Sequence, residues 1–209
     1  MTNKTHHEHD YVTGLVVRLI KFFQAHRTII IAGVLIIVIF IGGFFAYEYR
    51  QSKIKEDSWK ELTMAILFGE PENLTAVTEK YPKTNAALYA AYYMGDYNYE
   101  QGNYPEAVSL YKKVAEGKNK ELAHVAQISL AAAYQANKDY EASILTAEDF
   151  INKNPQHYAI AQVYLTKALS QELAGKKEAA AADYKIIESR FPNTYFAAFA
   201  KNKLKELNK

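Results

Sequence analysis

The chain has 209 residues, with 25 basic against 23 acidic side chains and no cysteine. So even a balance argues against nucleic acid as a partner, because phosphate binding needs a basic stripe. Disulfides, thiolate chemistry and cysteine-ligated metals are excluded outright.

Residues 1–10, MTNKTHHEHD, form a polar tail. His6, His7 and His9 stand beside Glu8 and Asp10, but a terminal cluster without a second ligand set reads as solvated rather than metal-binding. In residues 11–27, Val12, Leu15, Val16, Leu19, Phe22 and Phe23 recur at helical spacing opposite Arg18, Lys21 and Gln24. That pattern predicts either an amphipathic helix in the headgroup region or an extension of the next segment into the cytosol. Residues 1–27 are thus read as a tail with a juxtamembrane helix.

From Thr28 to Tyr47 there are 20 consecutive uncharged residues. At 1.5 Å per residue they reach about 30 Å, one hydrocarbon thickness, and predict a transmembrane helix over 28–47. The run is longer than a signal-peptide core, follows 27 residues and precedes no clean cleavage site, so an uncleaved anchor is expected. Lys4, Arg18, Lys21 and Arg27 before it balance Arg50, Lys53, Lys55 and Lys60 after it, so charge does not orient the chain. Tyr47 and Tyr49 suit an interfacial aromatic belt, and residues 48–58 read as a short charged helical stalk.

The remainder, 59–209, is predicted to be helical throughout and rich in alanine and leucine. Its breakers Pro82, Asn119, Pro155 and Pro192 lie 37, 36 and 37 residues apart. A fixed period of this size marks stacked two-helix repeats, none of which buries its apolar face alone. Aligned on the breakers, the segments show small residues, a turn, then an aromatic. Ala91, Met94 and Gly95 lead to Gly102-Asn103-Tyr104 and then Ala107, Tyr111 and Val114. Leu130, Ala131 and Tyr134 lead to Lys138-Asp139-Tyr140 and then Ser143, Ala147 and Phe150. Tyr164 and Ala168 lead to Gly175-Lys176-Lys177 and then Ala180, Tyr184 and Ile187. Tyr81-Pro82 and Phe191-Pro192 open an equivalent frame that places Thr84 and Thr194 as N-caps. A last helix over about 194–207 would close the stack, with Lys201, Lys203, Lys205 and Lys209 on a wet face.

This pattern resembles the tetratricopeptide repeat, well over 86–192 and weakly over 59–82. Asn98 and Gln171 stand where that family usually has an aromatic, and Ser143 with Ala147 replaces its alanine and aromatic pair. The expected fold class is all-α: one N-terminal transmembrane helix, then an α-solenoid of three to four helix pairs with a C-terminal capping helix. The resemblance places the concave, partner-binding positions at Tyr89, Tyr92, Asp96 and Tyr99. They continue at Val125, Ile128, Ala132 and Gln135, then at Gln162, Leu165, Leu169 and Glu172. They would make a groove for apolar or extended segments, unless they pack on the 59–80 helices or on each other. The Lys/Asn clamp with which some members hold a C-terminal carboxylate is missing from these positions.

Chemistry-bearing motifs are scarce. His124 and His157 lack a serine or carboxylate partner at motif spacing, Glu148 and Asp149 point apart on a helix, and there is no phosphate loop or HExxH. The expectation is a non-enzyme without cofactor, metal or small-molecule substrate. The order of parts is similar to the ancillary SecYEG translocon subunit (YfgM-like) family of bacteria. That resemblance implies an inner-membrane protein with a cytoplasmic tail and a periplasmic repeat domain. It also implies translocon subunits, envelope chaperones or emerging chains as partners. A scaffold of another envelope assembly, in cell division or outer-membrane biogenesis, is the alternative.

Overall fold

The computed structural model describes residues 4–69 and 71–207, with side chains described from Thr13 onward. The chain divides into two units, 1–54 and 55–209.

In the first unit, α1 (Lys4–Ala25) and the start of α2 (Arg27–Phe68) are separated at His26 alone. Helical bonds pass on both sides of it, from His26 N to Phe22 O and from Ile30 N to His26 O, each 3.0 Å. Among the described residues, α2 is the one helix long and apolar enough to cross a membrane. Its apolar stretch packs on nothing; Phe40 is 76% exposed. By length and composition this stretch suits a single-pass membrane anchor or a signal sequence. α2 runs 42 residues without interruption, because residues 48–58 contain no glycine or proline to break it.

In the second unit the end of α2 and α3 (Pro71–Lys80) form the first helix pair. α4 (Asn85–Glu100) with α5 (Tyr104–Ala115), α6 (Lys120–Ala136) with α7 (Tyr140–Lys153), and α8 (Ile160–Leu173) with α9 (Lys177–Arg190) form the next three. α10 (Tyr195–Leu207) closes the stack. Each helix from α3 onward packs on its successor, and α4–α6, α6–α8 and α8–α10 also touch. Those contacts line the even-numbered helices side by side along one face.

Local chemistry explains the boundaries. Thr84 Oγ1 accepts from Ala87 N at 3.2 Å and donates to Tyr81 O; Thr194 Oγ1 does the same with Ala197 N and Phe191 O. Asn119 and Asp139 cap α6 and α7 through Leu122 N and Ala142 N. Within each of the last three pairs one turn recurs. Asn103 N reaches Asn98 O, Asp139 N reaches Tyr134 O and Lys176 N reaches Gln171 O, at 2.8–2.9 Å. These six-to-one bonds close Schellman turns, which need a left-handed residue. Gly102 (φ 76°) and Gly175 (φ 78°) supply it in two of them; in the third it is Lys138 (φ 65°).

The core is built where small residues let helices approach. A Cβ on Gly95 would lie 2.7 Å from the Tyr111 ring, so the close α4–α5 crossing depends on its absence. Phe150, fully buried beside Ala131 and Ala147, fills the repeat that lacks the expected aromatic at 147. The seam between α6–α7 and α8 carries a polar patch within its apolar packing. Ser143 Oγ donates to Ala131 O at 2.7 Å and lies 2.8 Å from Ser170 Oγ, which Gln135 Nε2 also reaches at 2.9 Å. Lys203 departs from the expected wet face. It is half-buried and links α10 to α8 through a 3.1 Å ion pair with Glu172, a bond that pushes its pKa up. Lys201 and Lys205 are exposed.

Candidate protein-binding groove

Tyr89, Tyr92, Asp96 and Tyr99 recur along one side of α4 and are all half-buried. Each is engaged by a neighbour. Tyr89 stacks on Trp59 of α2 at 5.3 Å between ring centroids. The Tyr92 ring meets Tyr111 at 5.6 Å, and its hydroxyl lies 3.1 Å from Ser129 Oγ of α6. Asp96 Oδ1 accepts a 2.6 Å bond from the Tyr111 hydroxyl. Tyr99 packs edge-on against Tyr104 at 5.4 Å. Burial raises the pKa of Tyr92 and Tyr99, and it raises Asp96 against the opposing pull of the Tyr111 bond.

The next helices continue the row. Ile128, Leu165 and Leu169 are half-buried and pack against the cluster around Phe150, Val163 and Tyr184. The Gln135 amide donates to Thr166 O at 3.1 Å as well as to Ser170. Glu172 accepts from the Tyr184 hydroxyl at 2.8 Å. Val125 and Ala132 are half-buried and Gln162 is exposed. The row is therefore one continuous face whose polar heads are mostly occupied within the fold, leaving rings and aliphatic flanks outward.

The row widens at its α4–α6 end into a cavity of about 570 Å³. Tyr89, Tyr92 and Val125 line it, as expected from the concave positions. So do Tyr93, Glu121, Leu122, His124, His157 and Tyr158, which the spacing argument did not single out as binding residues. Tyr93 was legible as the neighbour of Tyr92. His157 and Tyr158 come from the turn after α7, and nothing in their spacing announces that they reach α4's side of the stack. The His157 ring lies 5.6 Å from that of His124 and 5.1 Å from Phe150. Its Nδ1 accepts from Ala159 N at 3.2 Å. Burial, then the neighbouring His124, lowers the His157 pKa below its ordinary 6.5.

No group of three or more His, Asp or Glu suited to a metal occurs among the described residues. The His6, His7 and His9 cluster lies outside the residues whose side chains are described.

A family model described as a tetratricopeptide repeat-like domain matches residues 21–153, and a second, a tetratricopeptide repeat, matches 162–194. Neither is a catalytic family. No curated protein matches the chain significantly. A tetratricopeptide repeat protein from Parabacteroides merdae is similar at 18% identity and a TM-score of 0.58, over 75% of this chain and 59% of its own. The nearly identical TPR-like repeats of a kinesin-light-chain-type protein from Podosopora anserina are similar at 16% identity and a TM-score of 0.57, over 76% and 84%. At these identities the likeness establishes the fold alone. The first family model spans well over half the sequence, and the chain belongs to the tetratricopeptide repeat-like domain family.

Proposed function

We propose that the protein is a membrane-anchored, non-catalytic adaptor that binds other proteins along the row from Tyr89 to Leu169. The observation that carries this reading is the row itself. Half-buried aromatic and aliphatic side chains run over the alternate helices α4, α6 and α8 of a repeat array whose family binds proteins. Residues 28–47 would cross the bilayer, 1–27 would hold a juxtamembrane helix, and 48–58 would carry the repeats away from the surface. By resemblance in the order of parts, the partners would be translocon subunits, envelope chaperones or emerging chains. The N-terminus would be cytoplasmic and the repeats periplasmic.

Site-specific photo-crosslinking tests the surface. A benzophenone side chain at Tyr89, Tyr92, Tyr99, Ile128 or Leu165 should capture defined proteins, while one at exposed Lys185 on α9 should not. Equal capture at both, or none, would overturn the groove as the partner site. Mass spectrometry of the captured proteins separates a translocon role from that of a division or outer-membrane scaffold. Protease added to spheroplasts should digest residues 55–209; their protection would reverse the orientation.

A further inference from the structure

The open end of the groove has a lining chemistry that packing does not explain. Four tyrosine rings, Tyr89, Tyr92, Tyr93 and Tyr158, border the cavity of about 570 Å³ together with the carboxylate of Glu121. No lysine or arginine lines it, and its other titratable side chains are His124 and His157, the second held toward its neutral form by burial. Tyr93 is 38% and Tyr158 85% exposed, a large aromatic surface left to water. The rings are held at angles to one another: Tyr92 and Tyr93 meet at 6.1 Å and 75°, and Tyr158 leans on His157 at 4.4 Å and 31°. Tyr89 and Tyr92, held by Trp59, Tyr111 and Ser129, cost little entropy on binding.

An aromatic face carries negative charge density and attracts a cation placed over it, more strongly where water is partly excluded. A nearby carboxylate adds a longer-range pull of the same sign. The cavity falls in the size range of small-ligand pockets and exceeds one side chain, leaving room for flanking backbone. The lining is opposite in sign to a clamp for carboxylates. We propose that this pocket takes the cationic side chain of an arginine or lysine presented on an extended segment of a partner protein. The proposal rests on the groove being a protein-binding surface, and it adds the chemistry of what enters it.

The full chain in detergent micelles provides its own reporter, since the single tryptophan, Trp59, stacks on Tyr89. Its fluorescence is followed while N-acetyl-Leu-Arg-Leu-amide is titrated in, and again with citrulline, the neutral isostere, in place of arginine. The arginine peptide should bind about fivefold tighter than the citrulline peptide. Tyr158→Ala and Glu121→Gln change exposed side chains; each should weaken the arginine peptide about threefold more than it weakens the citrulline peptide, narrowing the gap between the two. Equal affinity for the two peptides, or no binding of either, would overturn the cation assignment. Photo-crosslinking at Tyr89 and Ile128 is read separately: partner capture there alongside equal peptide affinities leaves the groove standing and removes only its cation preference.

Discussion

Tyr111 on α5 donates a 2.6 Å hydrogen bond to Asp96 on α4, tying the two helices of one repeat together through a carboxylate. Tyr184 and Glu172 repeat the arrangement two repeats later at 2.8 Å. In both cases a buried tyrosine on the second helix anchors an acid of the first, and burial with the carboxylate bond pushes both tyrosine pKa values up. Tyr111→Phe keeps the ring and removes the donor. Hydrogen bonds to charged groups contribute about 1.5–3 kcal/mol, so the unfolding free energy from urea titration should fall by an amount in that range, seen as a lower midpoint at unchanged m-value. An unchanged midpoint would show that Asp96 relies on other partners.

Gly95 faces the same tyrosine. Gly95→Ala puts a methyl 2.7 Å from the Tyr111 ring, so the ring or the helix spacing must shift. Overpacking of this kind costs about 1–3 kcal/mol. Combining it with Tyr111→Leu should recover part of the loss, because the smaller side chain vacates the contact. A double-mutant cycle that came out additive would refute direct contact as the cause.

Lys138 holds the left-handed position that glycine holds in the neighbouring turns. Its Cβ is strained there, and its exposed side chain offers nothing in return. Lys138→Gly should raise stability by about 0.5–1 kcal/mol, read as a higher urea midpoint with unchanged helicity. Gly175→Ala should move it the other way.

The His157 pKa is depressed in the folded state. Because the unfolded chain then binds protons first, stability is fullest above about pH 7 and declines as pH falls through the ordinary value of 6.5. Thermal midpoints at pH 7.5 and 6.0 should show the drop. His157→Asn, whose amide oxygen can still accept from Ala159 N, should flatten it. A variant as pH-sensitive as the parent would place the titration elsewhere.

Much of this fold is legible before any coordinates, and for identifiable reasons. Breakers at a constant interval report repeat boundaries because proline and capping asparagine act locally; Thr84 and Thr194 cap as their frame predicts. Local rules fail where tertiary context decides. The segment boundaries expected near residues 47 and 58 leave no trace in α2, since nothing in 48–58 interrupts a helix. Lys203 turns inward because Glu172 on α8 offers a partner that its own helix does not reveal. Of the concave positions, spacing identifies the face but not that Asp96, Gln135 and Glu172 are already bonded within it. His157 and Tyr158 reach the cavity from a turn more than 60 residues beyond Tyr92, which no spacing argument along one helix could connect.

The Ser143–Ser170–Gln135 seam has a consequence for the geometry of the proposed binding face. Two apolar surfaces can slide a fraction of an ångström past each other and lose little, because dispersion has no direction. Hydrogen bonds at 2.7–2.9 Å are satisfied in one alignment, and a buried hydroxyl that loses its partner is costly. The seam therefore works as a key in a keyway. It locks the angle at which the last two repeats meet, and with it the spacing between Ile128 and Leu165 that a bound segment would have to match.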